Sequence, residues 1–168
     1  MNAGKKVGNE KNSVMLVRAV TPVCSAEMDK PEVGTLQVES QRRLVERARA
    51  ALLAAYADYS HYRVGAAVLW FSGCVTQGCN VENVSYGLTM CAERVALFTG
   101  VAQGERVPRA LAVAVEAPEV AFPCGACLQV MAEWVRELPI YLTGAQGDVH
   151  VTDLAQLLPR AFGVNVNE

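Results

Sequence analysis

"ALAVAVEA", residues 110–117, is the stretch on which the fold turns. Its apolar residues run on without the spacing of an amphipathic helix, which is the character of a strand covered on both faces. Such a strand needs helices above and below it, so the flanking sequence decides the architecture. On the N-terminal side, "RVGAAVLW" (63–70) and "CVTQGCNV" (74–81), joined across Phe71, Ser72 and Gly73, read as a hairpin. The period then changes: Met90 to Thr99 is helical, with Thr89 as its N-cap and Gly100 at its end. Further out, Leu44, Val45, Ala48, Leu52, Ala55 and Tyr56 recur at helical spacing, predicting a first helix from Ser40 to about Tyr59. On the C-terminal side, Cys124 to Leu138 reads as a helix entered through Pro123. "PIYLTG" (139–144) and "DVHV" (148–151) are two short strands, and "TDLAQLLP" (152–159) is a last helix. Helices alternating with strands imply an α/β sandwich around a mixed sheet.

The 168 residues suffice for one domain with a sizeable core. An apolar share of 52% against 19% charged suits a compact protein rather than a disordered chain. Fifteen basic residues against 17 acidic ones give no broad positive field, which argues against long nucleic acid as a partner. No apolar run approaches the roughly 20 residues of a membrane span. Arg18 interrupts the apolar part of "SVMLVRAV", so a secretory leader is not expected, and the chain reads as soluble and cytoplasmic. Residues 1–37 differ in composition and end in the turn-forming "EMDKPEVG". They are expected to be a flexible N-terminal extension, with Met28 a plausible alternative start, ahead of a domain over 38–168.

The six cysteines, at 24, 74, 79, 91, 124 and 127, carry the chemistry, whereas His61 and His150 are too few for a histidine-based metal site. In "PCGAC" (123–127), Cys124 and Cys127 are three apart and share one face at a helix N-terminus, where the partial positive charge favours thiolates. "GLTMCAERVALFTG" (87–100) places Cys91 likewise at the start of another helix. Three thiolates suit Zn²⁺ and leave its fourth position for water, whose pKa zinc lowers to roughly 7. Glu93, two residues on, can reach that water without being a ligand and shuttle protons. Arg94, three residues from Cys91, can lean back and offset the net negative charge of the cluster. Bland readings stand beside this one: a lone C-x-x-C also serves as a redox pair or half a structural zinc site, and Cys74 or Cys79 could be a fourth ligand. A fourth thiolate, however, would leave Glu93 buried beside a negative cluster at a cost of several kcal/mol.

Four segments in order, "YSHYRVGAAV" (59–68), "GCNVENVSYGLTMCAER" (78–94), "PCGACLQVM" (123–131) and "LLPRAFG" (157–163), make the chain resemble the cytidine deaminase family from about residue 40 to 163. Cys91 stands where the zinc deaminase signature H-x-E…P-C-x-x-C has its histidine, as in the small homotetrameric members. The resemblance implies a three-layer α/β/α sandwich around a five-stranded mixed sheet. It also implies one Zn²⁺ per subunit on Cys91, Cys124 and Cys127, and hydrolysis of cytidine and deoxycytidine to uridine and deoxyuridine with release of ammonia, a reaction of pyrimidine salvage. Glu93 would protonate N3 of the base and later the departing ammonia. Asn80 and Glu82 would bind the ribose hydroxyls, Tyr62 would pack on the pyrimidine and Ala92 would also touch substrate. Phe162 would come from a neighbouring subunit and Tyr86 would join the same interface, giving a homotetramer with shared sites. Cys79 would be structural. No nucleic acid or membrane is implied as a partner.

Two departures stand out: Leu128 where the family usually has arginine, and Phe122 in place of a small polar residue before Pro123. Less charge around the thiolates predicts an active enzyme with shifted pH dependence or metal retention, which Leu128→Arg would reverse. Three other readings remain at this stage: a deaminase of a modified cytosine nucleoside such as blasticidin S, a nucleic-acid-editing module, and a zinc scaffold without catalysis. "NVENVSYG" favours a plain ribonucleoside, and the balanced charge argues against an editing module.

Overall fold

The structure is a computed structural model and describes residues 36–163. The chain runs α1 (Val38–Leu52), β1 (Val64–Trp70), β2 (Val75–Cys79), a 3₁₀ turn (Tyr86–Leu88), α2 (Ala92–Ala102), β3 (Pro108–Val115), α3 (Gly125–Met131), β4 (Pro139–Thr143), β5 (Val149–Asp153) and α4 (Leu154–Leu157). Almost all of the predicted extension, residues 1–35, lies outside the described residues. Of its last two residues, Leu36 is buried with its N–H donating to the Tyr141 hydroxyl, and Gln37 caps α1.

The sheet order is β2-β1-β3-β4-β5, so the strand carrying "ALAVAV" lies in the middle. β3 pairs antiparallel with β1 and parallel with β4, and the outer pairs β1–β2 and β4–β5 are antiparallel. Period-two alternation sorts the two cores. Ala67, Leu69, Ala110, Ala112, Ala114 and Tyr141 face α1, where Leu44, Val45, Ala48 and Leu52 cover them. Ala66, Val68, Trp70, Leu111, Val113, Ile140 and Leu142 face the other way, under α2 and α3. Three layers around five strands result, as the resemblance implied.

Several predicted helix boundaries differ from the observed ones, α4 among them at Leu154–Leu157 rather than 152–159, and at three others the backbone bonds show why. α1 stops at Leu52, not near Tyr59, because the Tyr56 N–H donates to Asn80 O and its carbonyl accepts from Glu82 N–H. That bridge needs extended chain, and it overrides the helical apolar spacing. Thr89 is not the N-cap of α2. It closes the 3₁₀ turn, Met90 exchanges both backbone bonds with Val81, and Cys91 is the capping residue. α3 ends at Met131, seven residues before Leu138, its last turn relaxing into i−3 bonds from Glu133 and Trp134 as the chain turns back to supply β4.

α2 is pinned to the β1–β2 hairpin by a polar relay through the core. Trp70 Nε1 donates to Thr76 Oγ1 at 2.8 Å, and that hydroxyl donates to the Ala96 carbonyl at 2.8 Å. At Gly100 the helix lies flush against the indole, where an added Cβ would come within 2.0 Å of Trp70 Cζ2.

Candidate metal centre and active-site pocket

β2 and β3 are each antiparallel to β1 and so point the same way. α2 follows β2 and α3 follows β3, which starts both helices beyond one end of the sheet. Their capping residues share one conformation: Cys91 has φ −72° and ψ 151°, Cys124 has φ −71° and ψ 161°. Neither thiol makes a side-chain capping bond to its helix. Both turn instead toward Cys127, one turn into α3.

The sulfur atoms of Cys91, Cys124 and Cys127 all lie within 4.8 Å of one another, the one such metal-competent group among the described residues. Cys91 to Cys124 is 3.9 Å and Cys124 to Cys127 is 3.6 Å. Bonds of 2.3 Å to a tetrahedral zinc place sulfurs about 3.8 Å apart, which both of these separations match. Cys74 is buried in the core at the hairpin end, and the Cys79 thiol donates to the Ala54 carbonyl at 3.2 Å. Neither joins the cluster, and the alternative of a fourth thiolate falls away.

Arg94 donates from Nη2 to Cys91 Sγ at 3.4 Å, the lean-back that its spacing predicts. Donation from the Cys127 thiol, with help from Arg94, lowers the Cys91 pKa to about 5. The same shared proton, together with burial, pushes the Cys127 thiol upward. Glu93 is buried, and burial raises its carboxyl above the usual range, with the Cys91 charge adding to the rise.

A pocket of about 310 Å³ opens above this cluster, at the small end of the range for ligand sites. Tyr62, Asn80, Glu82, Cys91, Ala92, Glu93 and Cys124 line it. Ala92 is fully buried. Asn80 also latches the strand entrance: Oδ1 accepts from Val64 N–H at 2.9 Å and Nδ2 donates to Tyr62 O at 2.8 Å. Glu82 accepts from the Tyr59 and Ser60 N–H groups and from the Ser60 hydroxyl, which holds its carboxyl below the usual range. Both side chains therefore shape the pocket rim as well as face it.

Tyr86 and Phe162 are not in the pocket of one chain. Tyr86 packs edge-on against Tyr59 and is otherwise exposed. Phe162 is 88% exposed, its backbone tied to α3 by two bonds with the Gln129 amide. Ser60, Thr89 and Phe122 line the pocket although nothing in their own patterning singles them out as ligand contacts. Phe122 stacks edge-to-face on His150 of β5, and Leu128 is buried in the core and adds no charge near the sulfurs.

The profile of the family described as "Cytidine and deoxycytidylate deaminase zinc-binding region" matches residues 38–142. The chain belongs to that family. Within it, a cytidine deaminase of Sporosarcina psychrophila is 45% identical over 121 residues, 71% of this chain and 89% of the relative. A crystal structure of cytidine deaminase from Burkholderia pseudomallei superposes with a TM-score of 0.69 at 51% identity, covering 72% of this chain and 98% of that one. A blasticidin-S deaminase of Bacillus cereus is more distant, at 27% identity over 131 residues, 73% of this chain and 91% of the relative. The deaminase family is zinc-binding by description, and the donor set of this member suits that metal.

Proposed function

We propose that this protein hydrolyses cytidine and deoxycytidine to uridine and deoxyuridine, releasing ammonia, in pyrimidine salvage. The observation that carries the reading is the convergence of Cys91, Cys124 and Cys127 beside the buried Glu93 at the floor of a nucleoside-sized pocket. Zinc held by the three thiolates would supply an acidified water at neutral pH. Glu93 takes the proton of the attacking water, passes it to N3 of the base, and then delivers a proton to the departing amino group. Its environment suits an acid–base role, because burial moves its carboxyl toward neutral pH. The Cys127 thiol, with Arg94 beside it, favours the charged state of Cys91. Asn80 and Glu82 take the ribose hydroxyls with the acceptor capacity that their loop bonds leave, and Tyr62 packs on the pyrimidine. The greater identity to cytidine deaminases favours a plain nucleoside over a blasticidin-like one.

The working unit in this reading is the domain over 38–168, preceded by an N-terminal extension, acting in the cytoplasm as a homotetramer. Among the described residues no helix is long and apolar enough to cross a membrane. Val84, Tyr86, Leu88 and Phe162 are 69–88% exposed, an apolar surface that a second copy would cover. Phe162 and Tyr86 then complete a neighbour's pocket. Loss of absorbance on cytidine, before and after zinc stripping and reloading, tests the activity. A zinc-loaded protein inert toward cytidine would end this reading. Sedimentation at falling concentration tests the assembly.

A further inference from the structure

The hairpin meets both helical layers through glycines on neighbouring strands. On one face of the sheet, a Cβ at Gly65 would stand 2.1 Å from Ala48 O and 2.4 Å from Leu52 N, both backbone atoms of α1. On the other face, a Cβ at Gly78 would stand 2.3 Å from Ala96 N, 2.6 Å from Ala92 O and 2.9 Å from Val95 C, backbone atoms of α2. Neither clash can be relieved by turning a side chain. The two glycines are similar in steric terms, but only one abuts the helix that carries Cys91 and Glu93. The contact at Ala92 O is one residue from Cys91, and the Cys91 carbonyl takes the first bond of that helix, from Val95 N–H at 3.1 Å.

We infer that Gly78 is a positioning residue for the metal centre: its missing side chain sets the height of α2 over the sheet and thereby the distance from Cys91 to the α3 thiols. The inference rests on the zinc reading of the three cysteines. Restoring ordinary contact at Gly78 requires α2 to lift by about 1 Å. Zinc–sulfur bonds tolerate only about 0.2 Å. Cys124 caps α3 and Cys127 lies in it, and none of the atoms crowding Gly78 belongs to that helix, so a lifted α2 would carry Cys91 and Glu93 away from them. The Trp70–Thr76–Ala96 relay is the second tie, and it ends on the same Ala96 whose amide crowds Gly78.

The test compares full-length zinc-loaded Gly78→Ala and Gly65→Ala, measuring zinc affinity by chelator competition beside thermal melting and cytidine kinetics. Both variants should melt lower. Gly78→Ala should bind zinc 10- to 100-fold more weakly, the range of second-layer substitutions at metal sites. Its kcat should fall while the KM for cytidine changes little. Gly65→Ala, at equal or greater loss of stability, should keep zinc affinity within about twofold of the parent. Equal zinc loss in both variants, or none in Gly78→Ala, overturns the inference. If Gly78→Ala does not fold, Thr76→Val decides in its place: it cuts the second tie without adding bulk, and unchanged zinc affinity there overturns the inference equally. A parent protein that binds no zinc would sink the metal reading instead, a separate outcome.

Discussion

Glu93 shows what single residues contribute. Glutamine keeps its shape and removes its proton traffic, so Glu93→Gln should retain zinc while kcat drops by about 100- to 10,000-fold. A second effect follows from burial. A carboxyl whose folded-state pKa is raised contributes its full stability below its unfolded pKa and loses it as pH climbs through the folded value. Metal-stripped Glu93→Gln should therefore melt above metal-stripped parent by a few degrees at about pH 7.5, roughly the worth of 1 kcal/mol in a domain of this size. That advantage should vanish near pH 4, where both side chains are neutral; an advantage that persists there would show that packing rather than charge is responsible. Cys91 and Glu93 were legible in the sequence because ionisable groups at the head of an apolar helix are costly without a purpose. Ser60 and Phe122 were not legible as pocket residues. A serine in a turn and an aromatic before a proline have ordinary reasons to be there, and only the fold brings them to the rim.

At the scale of elements, the strands read well and the helix ends did not. Apolar alternation is local, so "RVGAAVLW" fixed β1 to within a residue. The ends of α1 and α3 depend on partners far along the chain: Asn80 and Glu82 for one, the register of β4 for the other. Thr89 was credited with a cap because its type is right, but the cysteine two residues later takes the position, its thiol committed elsewhere. α4 spans only Leu154–Leu157 of the predicted 152–159, and Asp153 caps it instead of lying inside it, its carboxylate accepting from Ala155 N–H at 2.7 Å. Asp153→Ala should cost about 1 kcal/mol, seen as a lower melting temperature, and leave turnover unchanged. A loss of kcat in that variant would mean that α4 reaches the site through α3.

For the whole molecule, metal and fold are linked by mass action. Zinc present at a thousandfold over its dissociation constant adds about 4 kcal/mol to the folded state. Stripping it with a chelator should lower the melting temperature by roughly 10 °C, reversibly on reloading. A chelator-insensitive melt would be incompatible with a metal held by the native fold alone. The three-layer arrangement was readable in outline because one central apolar strand demands cover on both sides. One last consequence concerns Trp70, fully enclosed between the sheet and Gly100 with its indole nitrogen bonded to Thr76. With the half-buried Trp134 replaced by phenylalanine, the fluorescence of Trp70 should be blue-shifted and shielded from iodide while that helix is seated, and should redden when the helix lifts. The protein thus carries its own optical gauge of whether the metal-bearing helix is in place, readable without substrate or zinc.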